Sequence, residues 1–320
     1  MCIPGSVTGD FTGDCQVEYG DLEAFTDGWQ GETPTLPTPL INISAAALNL
    51  GPLSSWQNTG TLSGYFNDYN GVTDPNYLRY RPVVQNVEGK KAVTFDGNDC
   101  LVLRNAASGG SMILAPATLT SDRNEPNDFT LIAEVYNPSI STEEWYFTWA
   151  RENTTDRCAT FGYGTSDPFG ALAHWDANDM GFGTASGRFT TPSAGNWHTV
   201  AVTYRHPQGT TDGTETVIVD GVIREIEDKD INIWQGDPIM VGNRYAKDTT
   251  TGRITQNATL GYVGSLASVK VYAGYYPPED IAVLMGPPLD LHLPKNNVID
   301  FKDFAVFGLK WLQPPVLFGN

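Results

Sequence analysis

The sequence predicts a mainly β protein whose strands form a two-sheet antiparallel sandwich. Between residues 41 and 284, short runs rich in β-branched and aromatic residues alternate with Gly, Asn, Asp and Pro. The 33 glycines and 21 prolines follow no three-residue period, which excludes collagen and indicates many turns. Many short strands in about 240 residues are typical of a sandwich. The clearest predicted strands are Ala92–Asp96, Leu101–Arg104, Phe129–Tyr136, Trp145–Ala150, Ala159–Tyr163, Trp197–Tyr204, Glu215–Val219, Ile239–Gly242 and Gly264–Tyr272.

Composition limits the partners of the chain. Its 320 residues suffice for one large β domain or two ordinary domains, and 40% hydrophobic with 11% aromatic residues argues against disorder. The net charge of −18 would repel nucleic acid and anionic membrane surfaces, so neither is expected as a partner. Only 18% of the residues are charged, below the average of about 25%, and Thr, Asn, Gly and Tyr take their place. This composition favours an extracellular protein.

Two further features of the sequence bear on the compartment. No stretch approaches the roughly 18 consecutive apolar residues of a membrane helix, so no membrane insertion is expected. The segment Met1–Asp10 lacks a basic region followed by an apolar run, so it does not have the pattern of a signal peptide. We expect either a cytosolic chain or the mature or excised part of a secreted precursor. The composition favours the second, either free outside the cell or at its surface.

The chain contains four cysteines, which allow three pairings. Their order along the sequence suggests the disulfides Cys2–Cys15 and Cys100–Cys158. Free buried thiols are the alternative.

The two ends of the chain carry a repeat at a constant offset of 282 positions. In each copy a polar loop precedes apolar residues at positions 1, 4 and 8 after an Asp, which is the spacing of one helical face. One such helix cannot bury its apolar stripe alone, so we predict that the two terminal helices pack on each other. The matched positions are Val17, Asp21, Leu22, Phe25 and Trp29 in the first copy and Ile299, Asp303, Phe304, Phe307 and Trp311 in the second.

The loop of the first repeat, residues 10–21, has the spacing of a calcium-binding loop. Oxygen-bearing side chains stand at loop positions 1, 3, 5, 9 and 12, and the backbone carbonyl at position 7 adds another oxygen. Calcium takes six to eight oxygens at about 2.3–2.6 Å, which alternate residues of a tight loop supply. An acidic helix-capping loop without metal is the alternative. The predicted ligands are Asp10, Thr12, Asp14, Gln16, Glu18 and Asp21.

The loop of the second repeat, residues 292–303, departs from this pattern at positions 1 and 3. His292 is a poor calcium ligand, Pro294 has no side-chain oxygen, and Lys295 places a positive charge inside the loop. We therefore expect an empty or very weak second site. Its remaining candidate ligands are Asn296, Asp300 and Asp303.

The Asp at position 12 of each loop, followed directly by a helix, resembles the dockerin type I repeat. The two halves stand at opposite ends of this chain and one loop is degenerate, which argues against the family's usual role of attaching an enzyme to a scaffold. The Pro- and Thr-rich stretch QGETPTLPTP after the first copy is interpreted as an extended linker. The predicted organisation is a first dockerin-like repeat at 1–30, the linker at 31–40, a β domain at 41–286, the second repeat at 287–313 and a tail at 314–320.

The β domain also resembles a known family along its whole length. The segments AVTFDGNDCLVL, DFTLIAEVYNP, GNWHTVAVTY, ETVIVDG, PIMVGNR and GYVGSLASVKVYAGYYPPEDIAVL occur in the order found in laminin-G-like and pentraxin-like jelly rolls of the concanavalin A-like superfamily. The segment LNLGPLSSWQNTGTLSGYF resembles the entry of such domains in planctomycete-type secreted proteins, where dockerin-like repeats also flank them. The resemblance implies a two-sheet antiparallel jelly roll that ends in a short helix at Pro278–Met285, with the terminal helices forming a small α-helical pair.

The sequence contains no pair of acids arranged for catalysis. Enzymes of this superfamily that cleave β-glucans carry Glu-x-Asp-x-x-Glu on one strand, so that the carboxylates share a face, and no such run occurs here. The acidic cluster at 225–230 follows a predicted hairpin and is interpreted as a solvated strand end. Gly-x-Ser-x-Gly, His-Glu-x-x-His and phosphate-binding glycine loops are also absent from the sequence. We expect no enzyme activity.

Binding requires less than catalysis, because a sugar site needs only aromatic faces and a few hydrogen-bonding groups. The candidate glycan platform is Trp145, Tyr163, Trp175 and Trp234, with Trp149 and His174 as further candidates. The alternative is that most of these rings fill the core. The family resemblance also implies a calcium ion near the FDG turn, where Asp96 and Asp99 are the candidate ligands, although the strand GSLASVKVY lacks the acidic residue found in many members.

The sequence thus predicts a secreted, non-catalytic, calcium-binding module for recognition or assembly outside the cell. Its partner would be a glycan or an extracellular protein, including copies of itself. A structural subunit of an extracellular fibre or surface layer is one alternative. An accessory domain of a polysaccharide-degrading enzyme is another.

Overall fold

The structure, a computed structural model, confirms a mainly β fold in which two antiparallel sheets form a sandwich. It describes residues 36–68, 81–120, 127–140, 144–150, 158–164, 171–173, 179–182, 191–210, 212–230, 233, 238–243, 245–247, 254–256 and 261–285. The predicted dockerin-like repeats, the terminal helix pair, the tail and the proposed Cys2–Cys15 disulfide lie outside these residues.

The first sheet has nine strands, and β9 and β19 lie at its centre. Its order is β15-β14-β13-β9-β19-β6-β5-β2, and β1 also pairs with β19, beyond the stretch of β19 that pairs with β6. Its strand pairs β1–β19, β2–β5, β5–β6, β6–β19, β9–β19, β9–β13 and β13–β14 are antiparallel, and β9 pairs with β13 over its whole length. The strands are β1 (Ile41–Ser44), β2 (Gly51–Pro52), β5 (Val83–Val87), β6 (Lys90–Asp96), β9 (Phe129–Tyr136), β13 (Trp197–Arg205), β14 (Gly213–Val219), β15 (Val222–Lys229) and β19 (Val263–Ala273).

The second sheet has eight strands in the order β12-β11-β10-β16-β7-β4-β3, with β8 paired to β7. A separate two-stranded ribbon is formed by β17 (Tyr245–Lys247) and β18 (Ile254–Gln256). The strands of the second sheet are β3 (Ser55–Gln57), β4 (Tyr65–Asp68), β7 (Leu101–Ala106), β8 (Gly109–Met112), β10 (Trp145–Ala150), β11 (Cys158–Gly162), β12 (Leu172–Ala173) and β16 (Ile239–Val241).

The core lies between the two sheets and follows from the two-residue period of the strands. In β9, Phe129, Leu131, Ala133 and Val135 are all buried in the core cluster, because alternate residues of a strand share one face. Aromatic rings from both sheets meet there. Phe129 of the first sheet packs edge-on against Trp149 of the second, with 5.2 Å between ring centroids.

Each predicted strand overlaps an observed one, and their bounds differ by no more than two residues at either end. The interpretation of residues 225–230 as a solvated strand end holds only in part, because this end of the edge strand β15 exposes Ile226 and Asp228 but buries Glu225 and Lys229. The Lys229 ammonium group donates to the carbonyl of Asp179 at 2.9 Å and pairs with Glu227. Part of the predicted linker is also ordered into the sandwich, since the carbonyl of Pro39 accepts a hydrogen bond from the Thr61 amide.

The predicted Cys100–Cys158 disulfide is wrong in this structure. Cys100 is a free, buried thiol directly before β7, whereas Cys158 begins β11. Three strand steps separate β7 from β11, and at about 4.8 Å per step the two backbones lie about 14 Å apart. A disulfide requires Cα atoms within about 7 Å. Burial raises the pKa of the Cys100 thiol far above its usual range, so this thiol stays protonated.

The chain divides into two compact units. The sandwich unit comprises Leu36–Val219 and Ile223–Tyr276, and the other comprises Met1–Thr35, Asp220–Val222 and Pro277–Asn320. In the second unit the predicted short helix is present as α1 (Pro278–Leu284), with Pro at its start and two acidic residues in its first turn, where they favour the positive end of the helix dipole. None of the helices in the described part of the chain is long and apolar enough to cross a membrane.

Candidate functional site

An open polar cleft lies where three neighbouring strands of the first sheet end. Asp128 precedes β9, His206 follows β13, and Gly274 follows β19. In the sheet, Tyr204 of β13 and Ala273 of β19 both pair with Phe129, so these three chain ends lie side by side. We call this feature the strand-end cleft. It has a volume of about 400 Å³ and is lined by Thr118, Asn127, Asp128, His206, Gln208, Ala273 and Gly274.

Hydrogen bonds tie the lining residue Asp128 to the neighbouring strand ends. Its backbone carbonyl accepts from the Gly274 amide at 2.8 Å, and its side-chain Oδ1 accepts from the His206 amide at 2.7 Å. The Thr130 hydroxyl donates to the carbonyl of Gly274 at 3.1 Å, which fixes the same corner. Asp128 therefore connects the ends of all three strands, and one oxygen of its carboxylate is held by a hydrogen bond.

Other side chains of the cleft are tied to the loops around it. Asn127 donates from Nδ2 to the carbonyls of Ala117 and Thr120, at 3.1 and 2.6 Å. His206 is buried, and its Nε2 lies 3.3 Å from the carbonyl of Thr210, within the loop between β13 and β14. These contacts make the walls of the strand-end cleft rigid.

Three polar groups of the cleft remain open to a ligand. Within the part of the chain that the structure describes, Asp128 Oδ2, the Gln208 amide and the Thr118 hydroxyl form no hydrogen bond. Thr118 and Gln208 are exposed, and Asp128 is half-buried. The cleft thus presents an oriented carboxylate oxygen together with an amide and a hydroxyl, both of which can donate and accept.

An aromatic ring and a cation that are in contact stand next to two lining residues in the sequence. The Arg205 guanidinium lies 5.5 Å from the centre of the Tyr275 ring, which is within the range of a cation–π contact. Both residues directly adjoin lining residues in the chain, His206 and Gly274. Neither Arg nor Lys occurs among the lining residues, so Asp128 gives the cleft a negative charge.

The predicted glycan platform is wrong where the structure describes it. Trp145 and Tyr163 are buried, as is Trp149, so no ring face of these residues is available to a sugar in solution. Tyr163 and Trp149 belong to the core cluster, as expected of aromatic residues on alternating strand positions. Trp175, Trp234 and His174 lie outside the described residues.

The turn after β6 holds the two predicted calcium ligands Asp96 and Asp99. Asp99 is 3% exposed, its Oδ2 accepts from the Asp96 amide at 3.1 Å, and its Oδ1 has no hydrogen-bond partner. Such an orphaned oxygen is chemically suited to a cation. However, calcium takes six to eight oxygens, and no group of three or more acidic, His or Cys side chains placed for a metal occurs among the described residues. Calcium at this turn therefore stays a prediction, with Asp96 and Asp99 as its two candidate acidic ligands.

The turn is held by close backbone packing. A Cβ atom on Gly261 would lie 1.9 Å from the carbonyl oxygen of Gly97, so only glycine fits there. Burial and the nearby Asp96 carboxylate together raise the pKa of Asp99 to about 7. Without a cation, Asp99 is thus about half protonated at neutral pH.

This burial predicts a pH dependence of stability in the absence of metal. Because the folded pKa of Asp99 is raised, its stabilising contribution is full below the unfolded pKa of 3.8 and is lost as pH rises towards about 7. The slope is about 1.4 kcal/mol per pH unit for one proton. We expect Asp99→Asn to remove this decline and to unfold at a higher urea concentration than the wild type at pH 8, measured in chelator. Parallel pH profiles of the two proteins would contradict it.

No protein-family model matches the chain, and no curated protein matches it. Solved structures do resemble it. The receptor-binding domain of botulinum neurotoxin type G is 6% identical over 78% of this chain, with a TM-score of 0.41. A GH54 α-L-arabinofuranosidase soaked with a cyclic sulfate inhibitor is 10% identical over 77% of this chain, with a TM-score of 0.44. The heptameric SAP-like pentraxin of Limulus polyphemus is 13% identical over 54% of this chain, with a TM-score of 0.32.

This chain spans 51% of the botulinum domain, 58% of the arabinofuranosidase and 75% of the pentraxin. The likeness at these identities is one of fold alone, so any function must be argued from the residues of this chain.

Proposed function

We propose that this chain is a secreted, non-catalytic module that recognises a glycan through the strand-end cleft. The observation that carries the proposal is the set of open hydrogen-bonding groups at Thr118, Asp128 and Gln208 in a cleft of about 400 Å³. Binding pockets for small ligands have volumes of about 300–1,000 Å³ and use a few oriented polar groups for specificity. Sugars present many hydroxyl groups, which such a set of donors and acceptors suits.

A binding role accounts for the cleft better than a hydrolytic one. Glycoside hydrolysis generally needs two carboxyl groups on either side of the scissile bond. Among the described lining residues Asp128 is the sole acid, and its Oδ1 is already used to hold the His206 amide. The cleft therefore has a group that can accept a hydrogen bond from a sugar but no second acid to act with it.

Calcium belongs to the proposal through the first terminal loop. Asp10, Asp14, Glu18 and Asp21 bring carboxylates to loop positions 1, 5, 9 and 12, which supplies the oxygen ligands that a hard cation requires. We propose a structural ion there and a very weak site, or none, in the loop at 292–303. The low charged fraction of 18% supports the extracellular location that such an ion would suit.

A glycan array followed by calorimetry tests the proposed binding. Gln208→Ala removes one open amide from the cleft, so we expect the affinity for the bound glycan to fall about threefold to tenfold, as for the loss of one neutral hydrogen bond. Gln57→Ala is the matched control, because Gln57 is an exposed glutamine on β3 and does not line the cleft.

Three results would count against this function. Equal losses of affinity in both variants would place the glycan elsewhere. Ordered fibres in electron micrographs, without binding to any glycan, would favour the structural-subunit alternative. Release of reducing sugar that one Asp or Glu substitution abolishes would overturn the non-catalytic assignment.

A further inference from the structure

The strand-end cleft carries a negative charge from Asp128. Asp128 is the one charged side chain among the described lining residues, and no Lys or Arg lines the cleft to offset it. The adjacent cation Arg205 lies over the Tyr275 ring, 5.5 Å from its centre, and is not a lining residue. An anionic sugar entering the cleft would therefore meet a carboxylate and no lining cation, within a chain of net charge −18.

The same carboxylate suits a sugar hydroxyl. Oδ1 of Asp128 accepts from the His206 amide, which leaves Oδ2 of this lining residue as an acceptor without a hydrogen bond. A hydroxyl that donates to an ionised oxygen makes a short hydrogen bond, roughly twice as strong as a neutral one. The exposed Gln208 amide and Thr118 hydroxyl can each donate to or accept from neighbouring hydroxyls of the same ring.

Resting on the proposed glycan-binding function, we infer that the strand-end cleft selects neutral, hydroxyl-rich sugars against uronic, sialylated or sulfated ones, and that Asp128 is the residue that makes the distinction. The end of the sandwich at which this cleft lies is not the end that carries the Asp96–Asp99 turn. In β19, the end beside that turn is Val263, which pairs with Asp96, and the end beside the cleft is Ala273, which pairs with Phe129. The inferred recognition therefore does not involve the candidate metal ligands of the turn.

The test compares sugars that differ only in charge at one carbon. Methyl galactoside and methyl galacturonoside of the same anomer form such a pair, as do β-1,4-linked manno-oligosaccharides and β-1,4-linked mannuronate oligomers of equal length. We expect the wild type to bind the neutral member of the recognised pair at least tenfold more tightly. Asp128→Asn keeps an oxygen that can accept from the His206 amide but removes the charge, so we expect about tenfold weaker binding of the neutral sugar and a smaller preference.

Asp212→Asn is the matched control for charge. Asp212 is exposed, lies in the loop between β13 and β14 and does not line the cleft. This substitution changes the net charge by the same amount, so we expect it to leave both affinities unchanged. Thermal melting of each variant checks that the fold is retained.

Gln208→Lys gives a second test that does not depend on the hydrogen bonds of Asp128. Gln208 is exposed and makes no hydrogen bond within the described residues, so the substitution introduces a cation at the cleft without removing a structural contact. We expect the uronic member of the pair to gain about tenfold in affinity relative to the neutral one, and Gln57→Lys to leave the ratio unchanged.

The outcomes separate the inference from the function. Tighter binding of uronic or sulfated sugars by the wild type, weakened by Gln208→Ala, would overturn the neutral selectivity while supporting a glycan site in the cleft. An unchanged preference in Asp128→Asn would overturn the role of Asp128. Failure to bind any member of the array would overturn the proposed function, and with it the inference.

Discussion

Replacing Trp149 by alanine is expected to lower the free energy of unfolding of the sandwich by about 3–5 kcal/mol, the range for a fully buried large aromatic residue. Trp149 is completely buried on β10, and its ring lies 5.2 Å from Phe129 and 4.9 Å from Phe161. Phe129 belongs to the first sheet and Phe161 to the second, so the indole joins both layers of the core. Its loss leaves a cavity that strands fixed in two sheets cannot readily fill.

The indole also carries a buried hydrogen bond, since Trp149 Nε1 donates to the carbonyl of Leu119 at 2.9 Å. Trp149→Phe keeps an aromatic ring but deprives that carbonyl of its donor, a loss of about 1–3 kcal/mol. In urea denaturation, the free energy of unfolding should therefore decrease from the wild type to Trp149→Phe and further to Trp149→Ala. If the Ala variant unfolds at the wild-type urea concentration, Trp149 is not a core residue.

The same variant distinguishes the two interpretations of this tryptophan. If Trp149 belonged to a glycan platform, Trp149→Phe would weaken sugar binding less than Trp149→Ala would. Neither variant would then lose much stability. If Trp149 is a core residue, both variants should be less stable than the wild type. The sugar affinity of the folded protein should then be unchanged. Glycan titration at a temperature well below the melting point of each variant gives the second readout.

The long strands were predictable because they carry a local signal. In β9, apolar residues alternate and end at turn-forming residues, and β13 and β19 have the same character. The shortest strands could not be predicted in this way. Gly51–Pro52 has two residues of low strand propensity and becomes the edge strand β2 only because it pairs with Val83 and Val84 of β5.

The strand-end cleft was missed for a related reason. Asp128 and His206 stand 78 positions apart and become neighbours only through the pairing of β9 with β13, so no motif spacing marks them. One local signal did exist. Asp128 immediately precedes a predicted strand and His206 lies two positions after another, and antiparallel neighbours bring such ends to one edge. The aromatic residues were instead chosen by residue type, which does not distinguish a core ring from an exposed one.

Removal of calcium is expected to act on the terminal residues and to leave the sandwich folded. Asp10, Asp14, Glu18 and Asp21 place four carboxylates within the predicted twelve-residue loop, and without a cation their mutual repulsion opposes a compact loop. An unfolded chain cannot gather these ligands, so binding stabilises the folded loop by RT ln(1 + [L]/Kd). This is about 4 kcal/mol when the ion is a thousandfold above its dissociation constant.

Limited proteolysis with and without chelator measures this effect, with mass spectrometry to locate each cut. We expect chelator to speed cleavage within residues 1–30 and 287–313, while fragments spanning the strands of the sandwich persist because their own core holds them. Asp14→Ala should reproduce the chelator pattern in the presence of calcium. Asn296→Ala is the matched control in the degenerate loop, where His292 and Pro294 replace two ligands, and it should change little.

The two loops are told apart by the relative size of these effects. Equal sensitivity of Asp14→Ala and Asn296→Ala would mean that both loops bind calcium, contrary to the expectation from His292 and Pro294. Cleavage independent of calcium in the wild type would mean that the first loop is an acidic helix cap without metal. Only the loop at 10–21 has an oxygen at every ligand position, so we expect the ion to bind there alone. Calcium should then protect the wild type and Asn296→Ala equally from proteolysis. It should fail to protect Asp14→Ala.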